Sequence, residues 1–131
     1  MKFEYQALAV MSLFFLFAFL PVSLGKLQSF GGKWLASNRD RAAGPELVAW
    51  AARCERAHAN LKDNFPAFAV AILLLGALEK FDGTTEIAAG LYLAGRVIHF
   101  ISYGLGNVRV RFLSFVLALV ANVVLLWKCF G

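Results

Sequence analysis

Arg53, Arg56, Asn60 and Asp63 recur at spacings of three, four and three residues. In a helix, at about 100° per residue, they fall at roughly 0°, 300°, 340° and 280°, an arc about 80° wide. Glu55, His58 and Lys62 fall at roughly 200°, roughly 140° and roughly 180°, on another side. The first face is rich in groups that bind anions and amides, since a guanidinium stays charged at physiological pH and offers carboxylates a fork of N–H donors. The plain alternative is a solvated helix end with ion pairs three and four residues apart. A second set, Arg96, His99 and Tyr103, lies within about 60° on a later helix. Further arginines stand at Arg39, Arg41, Arg109 and Arg111.

Other chemistries fit less well. His58 and His99 lie on different predicted helices with no third ligand nearby, so a zinc site is not expected. Cys54 and Cys129 have neither metal spacing nor a CxxC motif, and free thiols are expected. Cys54 lacks a neighbouring base, which favours packing over nucleophilic attack. Gly104-x-Gly106 reads as a helix end and not as a phosphate loop.

These side chains need elements to hold them, and the composition says which. Of 131 residues, 60% are hydrophobic and 16% charged, against about 45–50% and 25% in ordinary soluble domains. Mean hydropathy is +0.68. So small a domain lacks the polar residues to cover a water-exposed surface, which argues against a soluble enzyme, a disordered tail or a nucleic-acid module. The expected class is an all-α integral membrane protein forming a four-helix bundle in one domain. The expected helices run over residues 5–25, 46–78, 86–106 and 110–130, the second opening on Pro45 and Glu46. The first could also be a cleaved signal sequence, but Glu4 cancels Lys2 and the apolar run is long.

The net charge of +5 then reads as orientation. Lys26, Lys33, Arg39, Arg41, Arg53 and Arg56 mark the first connection and the start of the second helix, and Arg109 and Arg111 mark the third connection. The second carries Lys80 against Glu79, Asp82 and Glu86. This bias puts the first and third connections in the cytoplasm and both termini outside.

Arg96 has nine uncharged residues before it and twelve after, too many for its charge to reach an interface. An intramembrane arginine must face the bundle interior and find a partner. Asp63 is the expected one. The pair is either a structural clamp alone or also the wall of a polar pocket open to the cytoplasm.

The run Arg56-Ala57-His58-Ala59-Asn60-Leu61-Lys62-Asp63-Asn64-Phe65-Pro66 resembles a signature of the membrane-associated proteins in eicosanoid and glutathione metabolism, the MAPEG superfamily. Arg96-x-x-His99-x-x-x-Tyr103 looks like its third-helix signature, and Arg111-Phe112-Leu113-Ser114-Phe115 is similar to the fourth-helix start of microsomal glutathione transferases. The pattern is most like the bacterial members of that type, and covers the chain from about Arg39 onward.

The resemblance implies a homotrimer of four-helix protomers that binds glutathione as co-substrate between subunits and conjugates it to lipophilic electrophiles arriving from membrane lipid. Reduction of lipid hydroperoxides is a second implied activity. Arg56, His58, Asn60, Asp63, Arg96, His99 and Tyr103 would bind glutathione, with Arg39 or Arg41 from the first connection. The Arg that begins the fourth helix would stabilise the thiolate: Arg111 by motif, with Arg109 as alternative. Asp63 replaces the usual Glu, Asn64 stands where the leukotriene enzyme has Tyr, and Phe112 where the prostaglandin enzyme has Ser. None of these favours eicosanoid substrates. A non-catalytic lipid- or glutathione-binding protein of the same fold is the alternative. A small channel is a weaker one, since transport does not require the second-helix pattern.

Overall fold

The computed structural model describes residues 1–40, 44 and 46–131, and these are all-helical. The helices are α1 (Phe3–Phe17), α2 (Leu20–Phe30), α3 (Gly32–Leu35), α4 (Ala49–Ala77), α5 (Gly83–Leu105) and α6 (Val108–Phe130). Two stretches, Phe3–Phe30 and Val108–Phe130, are long and apolar enough to cross a membrane. At about 1.5 Å per residue, α4 and α5 match them in length, but both carry charge within the helix.

The first expected helix starts earlier, at Phe3, runs further, to Phe30, and is interrupted at Ala18–Phe19. Pro21 has no N–H to give the Phe17 carbonyl, and the Ala18 N–H bonds Phe15 in a tighter turn. The helix then continues through Gly25 to Phe30. Lys26 does not stop it, since its ammonium lies 2.9 Å from Glu55 on α4. Gly25 is the seam of this crossing: a Cβ there would sit 2.0 Å from Ala51 Cβ. Such close approach is how small residues join helices where lipid competes for apolar contacts.

α4 starts at Ala49, later than expected, with Glu46 outside the helix; Pro45 lies outside the described residues. The Val48 N–H is taken by Ser29 Oγ at 3.0 Å. Pro66 sits inside α4 on an exposed face.

α5 starts earlier than expected, because Asp82 and Gly83 are its cap and first residue. Asp82 Oδ1 accepts the Thr84 and Thr85 N–H groups, and Thr85 Oγ1 accepts the Asp82 N–H at 2.8 Å, a reciprocal capping box. The same Thr85 oxygen lies 2.6 Å from Glu4 Oε1, which ties the start of α1 to the start of α5. Gly106, in the left-handed region at φ 80°, closes α5, and Asn107 caps α6 through the Val110 N–H. Those two residues are the whole turn.

α5 packs along α6, and both pack on α4; α1 crosses α4 and α5, and α2 crosses α4. The core joins Met11, Leu61, Phe68, Leu75, Tyr92 and Leu125, with Tyr92 stacked on Phe68 at 4.0 Å. Outward-facing Phe17, Leu73, Ile101, Leu117 and Trp127 are exposed, an apolar exterior of the kind lipid covers.

Gly25→Ala should lower the melting temperature in detergent by overpacking the α2–α4 seam, at about 1–3 kcal/mol, and adding Ala51→Gly should recover most of the loss. A single variant that melts like wild type would contradict this account.

Lys128 binds the Asp82 carboxyl and, with the Thr85 and Thr84 N–H groups, holds it below the ordinary carboxylate range. The ionised form is favoured on folding, so this contribution is present above the unfolded-state pKa and fades as pH falls through the lower folded-state value. Wild type should therefore outlast Asp82→Asn at neutral pH, with the gap in melting temperature closing below about pH 4. A gap unchanged with pH would refute the assignment.

Candidate binding and catalytic site

Arg96, near the middle of α5, is 1% exposed. Its Nη2 donates to Asn60 Oδ1 on α4 at 2.7 Å, a short charge-assisted bond. Asn60 is steadied from its own helix, where Asn64 Nδ2 donates to its backbone carbonyl at 2.9 Å. The expected Asp63 clamp is not made. Asp63 is exposed and has no ion pair among the described residues, whose two pairs, Lys26–Glu55 and Lys128–Asp82, lie elsewhere. Three residues past Asn60, it is turned about 60° around the helix and nearly one turn along.

A neutral amide satisfies one guanidinium N–H but leaves the charge uncompensated. Arg96 Nε has no partner among the described residues, nor do the buried Tyr92 Oη, His99 Nδ1 and Asn122 Oδ1. Tyr92, Arg96 and His99 follow one another at i, i+4 and i+7, on one face of α5.

His99 opens onto a cavity of about 350 Å³ lined also by Asn60, Tyr103, Val108, Arg111, Phe112 and Phe115. The Arg111 guanidinium lies 4.5 Å from the Tyr103 ring centre, and that of Arg56 reaches to 6.0 Å of the same ring. His99 meets Tyr103 edge-on at 5.6 Å and Phe115 at 5.9 Å. One wall is thus cationic and aromatic, the other apolar.

The arrangement separates the two fourth-helix arginines. Arg111 is half-buried and lines the cavity, while Arg109 is exposed, because two helical residues point about 200° apart. The cluster gathers Arg56, Asn60, Arg96, His99, Tyr103 and Arg111. His58 is not among them; it faces α1, 6.3 Å from the Phe15 ring. Arg39 is exposed, with its guanidinium 5.6 Å from the Trp34 ring centre and its Nη2 donating to the Leu35 carbonyl at 3.3 Å. Arg41 lies outside the described residues.

Two features were not read from the sequence. Val108, Phe112 and Phe115 form the apolar wall, and their i, i+4, i+7 spacing was the available signal. Arg53 of the α4 stripe points away from the cavity residues to the Gly104 carbonyl at 2.9 Å.

Asn60→Leu strands the Arg96 charge without an acceptor and should cost about 3 kcal/mol of stability, whereas Asn60→Asp should be tolerated. Thermal melts of both would decide, and equal stability of Asn60→Leu and wild type would sink the pairing.

No curated protein and no solved structure matches the chain. One family model does, that of the MAPEG family, over residues 6–131. With nearly all of its length inside that match, and with Asn60 of α4, His99 and Tyr103 of α5 and Arg111 of α6 lining one cavity, the chain belongs to the MAPEG family.

Proposed function

We propose that this protein is a glutathione-dependent membrane transferase that conjugates glutathione to lipophilic electrophiles. The observation that carries the reading is the buried, carboxylate-free Arg96 beside a cavity that also holds Arg111. Such a site has positive charge awaiting an anion and an apolar wall beside it. Glutathione supplies two carboxylates, two amides, an ammonium and a thiol. Arg56 and Arg96 meet carboxylates, Asn60 meets an amide, and Asp63, exposed on α4, suits the ammonium. Phe112, Phe115 and Val108 receive an apolar co-substrate.

The four long helical segments cross the bilayer with both termini outside, so the cavity opens toward the cytoplasm. The exposed faces of α4 assemble three copies, and glutathione lies between neighbours. Arg39 or Arg41 of the first cytoplasmic connection adds a contact, and membrane lipid supplies the electrophile.

The thiol is a weak nucleophile until ionised. Arg111 lowers the energy of the thiolate without itself titrating. The S–H proton leaves to water at the cavity mouth, the sulfur lone pair forms the C–S bond, and the leaving group departs with its electron pair. With a lipid hydroperoxide, the same thiolate attacks the terminal oxygen, the O–O bond breaks and the lipid leaves as its alkoxide, which takes a proton to become the alcohol. A second glutathione then reduces the sulfenic acid, releasing water and forming the disulfide. Nothing in the site favours prostaglandin isomerisation, since Phe112 brings no hydroxyl.

Detergent-purified protein should bind glutathione and show thiolate absorbance in the ultraviolet. Arg111→Ala should bind yet lose the thiolate and about 10²–10³-fold in turnover, as removal of a preorganised charge partner does. Arg56→Ala and Asp63→Ala should weaken binding about tenfold or more, since hydrogen bonds to charged groups contribute about 1.5–3 kcal/mol. Binding by wild type without thiolate would support the non-catalytic member of the family. No binding at millimolar glutathione would reject the proposal.

A further inference from the structure

Arg53 belongs to the α4 polar stripe but does not face the cavity. Its Nε donates to the carbonyl of Gly104 at 2.9 Å. That carbonyl is in the last turn of α5, where no helical N–H is left to meet it, and a positive charge is favoured there by the helix dipole. A Cβ on Gly106 would lie 3.6–3.8 Å from Arg53 Nε, Cζ and Cδ. The side chain therefore passes beside Gly106, the first residue of the α5–α6 turn.

The turn is two residues long, and what it fixes is on either side of it. Tyr103 immediately precedes Gly104. Asn107 accepts the Val110 N–H through its side chain and the Arg111 N–H through its carbonyl. Arg111 then folds back until its guanidinium lies 4.5 Å from the Tyr103 ring centre. One turn further along α4 from Arg53 is Arg56, and two turns along is Asn60, the partner of Arg96. Arg53 thus hydrogen-bonds the α4 binding stripe to the last turn of α5, just before the Gly106–Asn107 turn that leads into α6 and Arg111.

We propose that Arg53 is a positioning residue for Arg111. By holding the Gly104 carbonyl it sets the distance between the guanidinium at the start of α6 and a ligand held on α4. This deepens, and rests on, the reading of the cavity as a glutathione site. Arg53 touches neither glutathione nor the reacting atoms. Its loss should leave binding intact while Arg111 sits farther from the sulfur and stabilises the thiolate less.

The test compares wild type, Arg53→Met, Arg53→Gln and Arg53→Lys in detergent. It measures glutathione affinity by calorimetry, the pH midpoint of the bound thiolate absorbance, and kcat and KM with chlorodinitrobenzene. Arg53→Met should keep the Kd within about threefold, move the thiolate midpoint up by about one pH unit and lower kcat about tenfold below that midpoint. Arg53→Lys, which keeps a charged donor, should return most of the shift. If Arg53→Met does not fold, Arg53→Gln, with a shorter neutral donor, should show the same upward direction.

A weakened Kd with an unmoved midpoint would make Arg53 a direct ligand contact and overturn the proposal. An unmoved midpoint with unmoved kcat would overturn it too. Wild type that shows no thiolate would defeat the transferase reading itself, whereas wild-type thiolate with a normal Arg53→Met defeats the positioning role alone.

Discussion

A guanidinium cannot be taken out of water without a partner, and Arg96 is 1% exposed in a chain that is 60% hydrophobic. Much of the fold answers that constraint. Asn60 must sit where its carbonyl meets Nη2, so α4 and α5 are fixed in rotation and height relative to each other. An amide, unlike a carboxylate, satisfies the hydrogen bond while leaving the charge in place. The interior therefore keeps a positive potential that a paired aspartate would have cancelled.

That potential is concentrated by what surrounds it. Arg56 and Arg111 both bring their guanidinium groups to the Tyr103 ring, and the acids nearest in sequence look elsewhere: Glu55 to Lys26, Asp63 to the surface. The opposite wall, from Val108 to Phe115, is apolar. In a low-dielectric setting such charges act at greater strength than in water, which is what the proposed binding of a sulfur anion beside an apolar molecule needs. At the far end of the molecule the polarity is ordinary: Asp82 caps a helix, Lys128 pairs with it, and Glu4 is drawn in by Thr85.

The helical class, the separation of Glu55, His58 and Lys62 from the Arg56–Asn60 face, and the grouping of Arg96 with His99 and Tyr103 were legible because each follows from a step of about 100° within one helix. What failed involved contacts between helices. Lys26 read as a terminator because its counter-charge, Glu55, comes from a different helix well along the sequence. Asp82 read as part of the second connection, and the next helix as starting at residue 86, because a helix cap and a loop share residue types, and the Thr85 that completes the cap lies three places on. Asp63 read as the partner of Arg96 because its charge is complementary, whereas the rotation of α4 against α5 that presents Asn60 instead is set by packing between the helices. Arg109 and Arg111 could be told apart only once α6 had a rotation. The family signature named Arg56, Asn60, Arg96, His99, Tyr103 and Arg111, which meet, but also His58 and Asp63, which do not, and it gave no sign that Arg53 would turn from the stripe to the end of α5.

The Asn60–Arg96 bond spans 36 residues, and its order along the chain matters during biosynthesis. The amide is made first and the guanidinium second. In the proposed four-span arrangement, the least lipid-tolerant side chain of α5 meets a helix that already presents an acceptor, so the nascent chain need not hold a bare cation while waiting for later segments. Reversing the two residues would keep the same bond in the finished protein but would send the charge into the translocation machinery ahead of anything able to receive it.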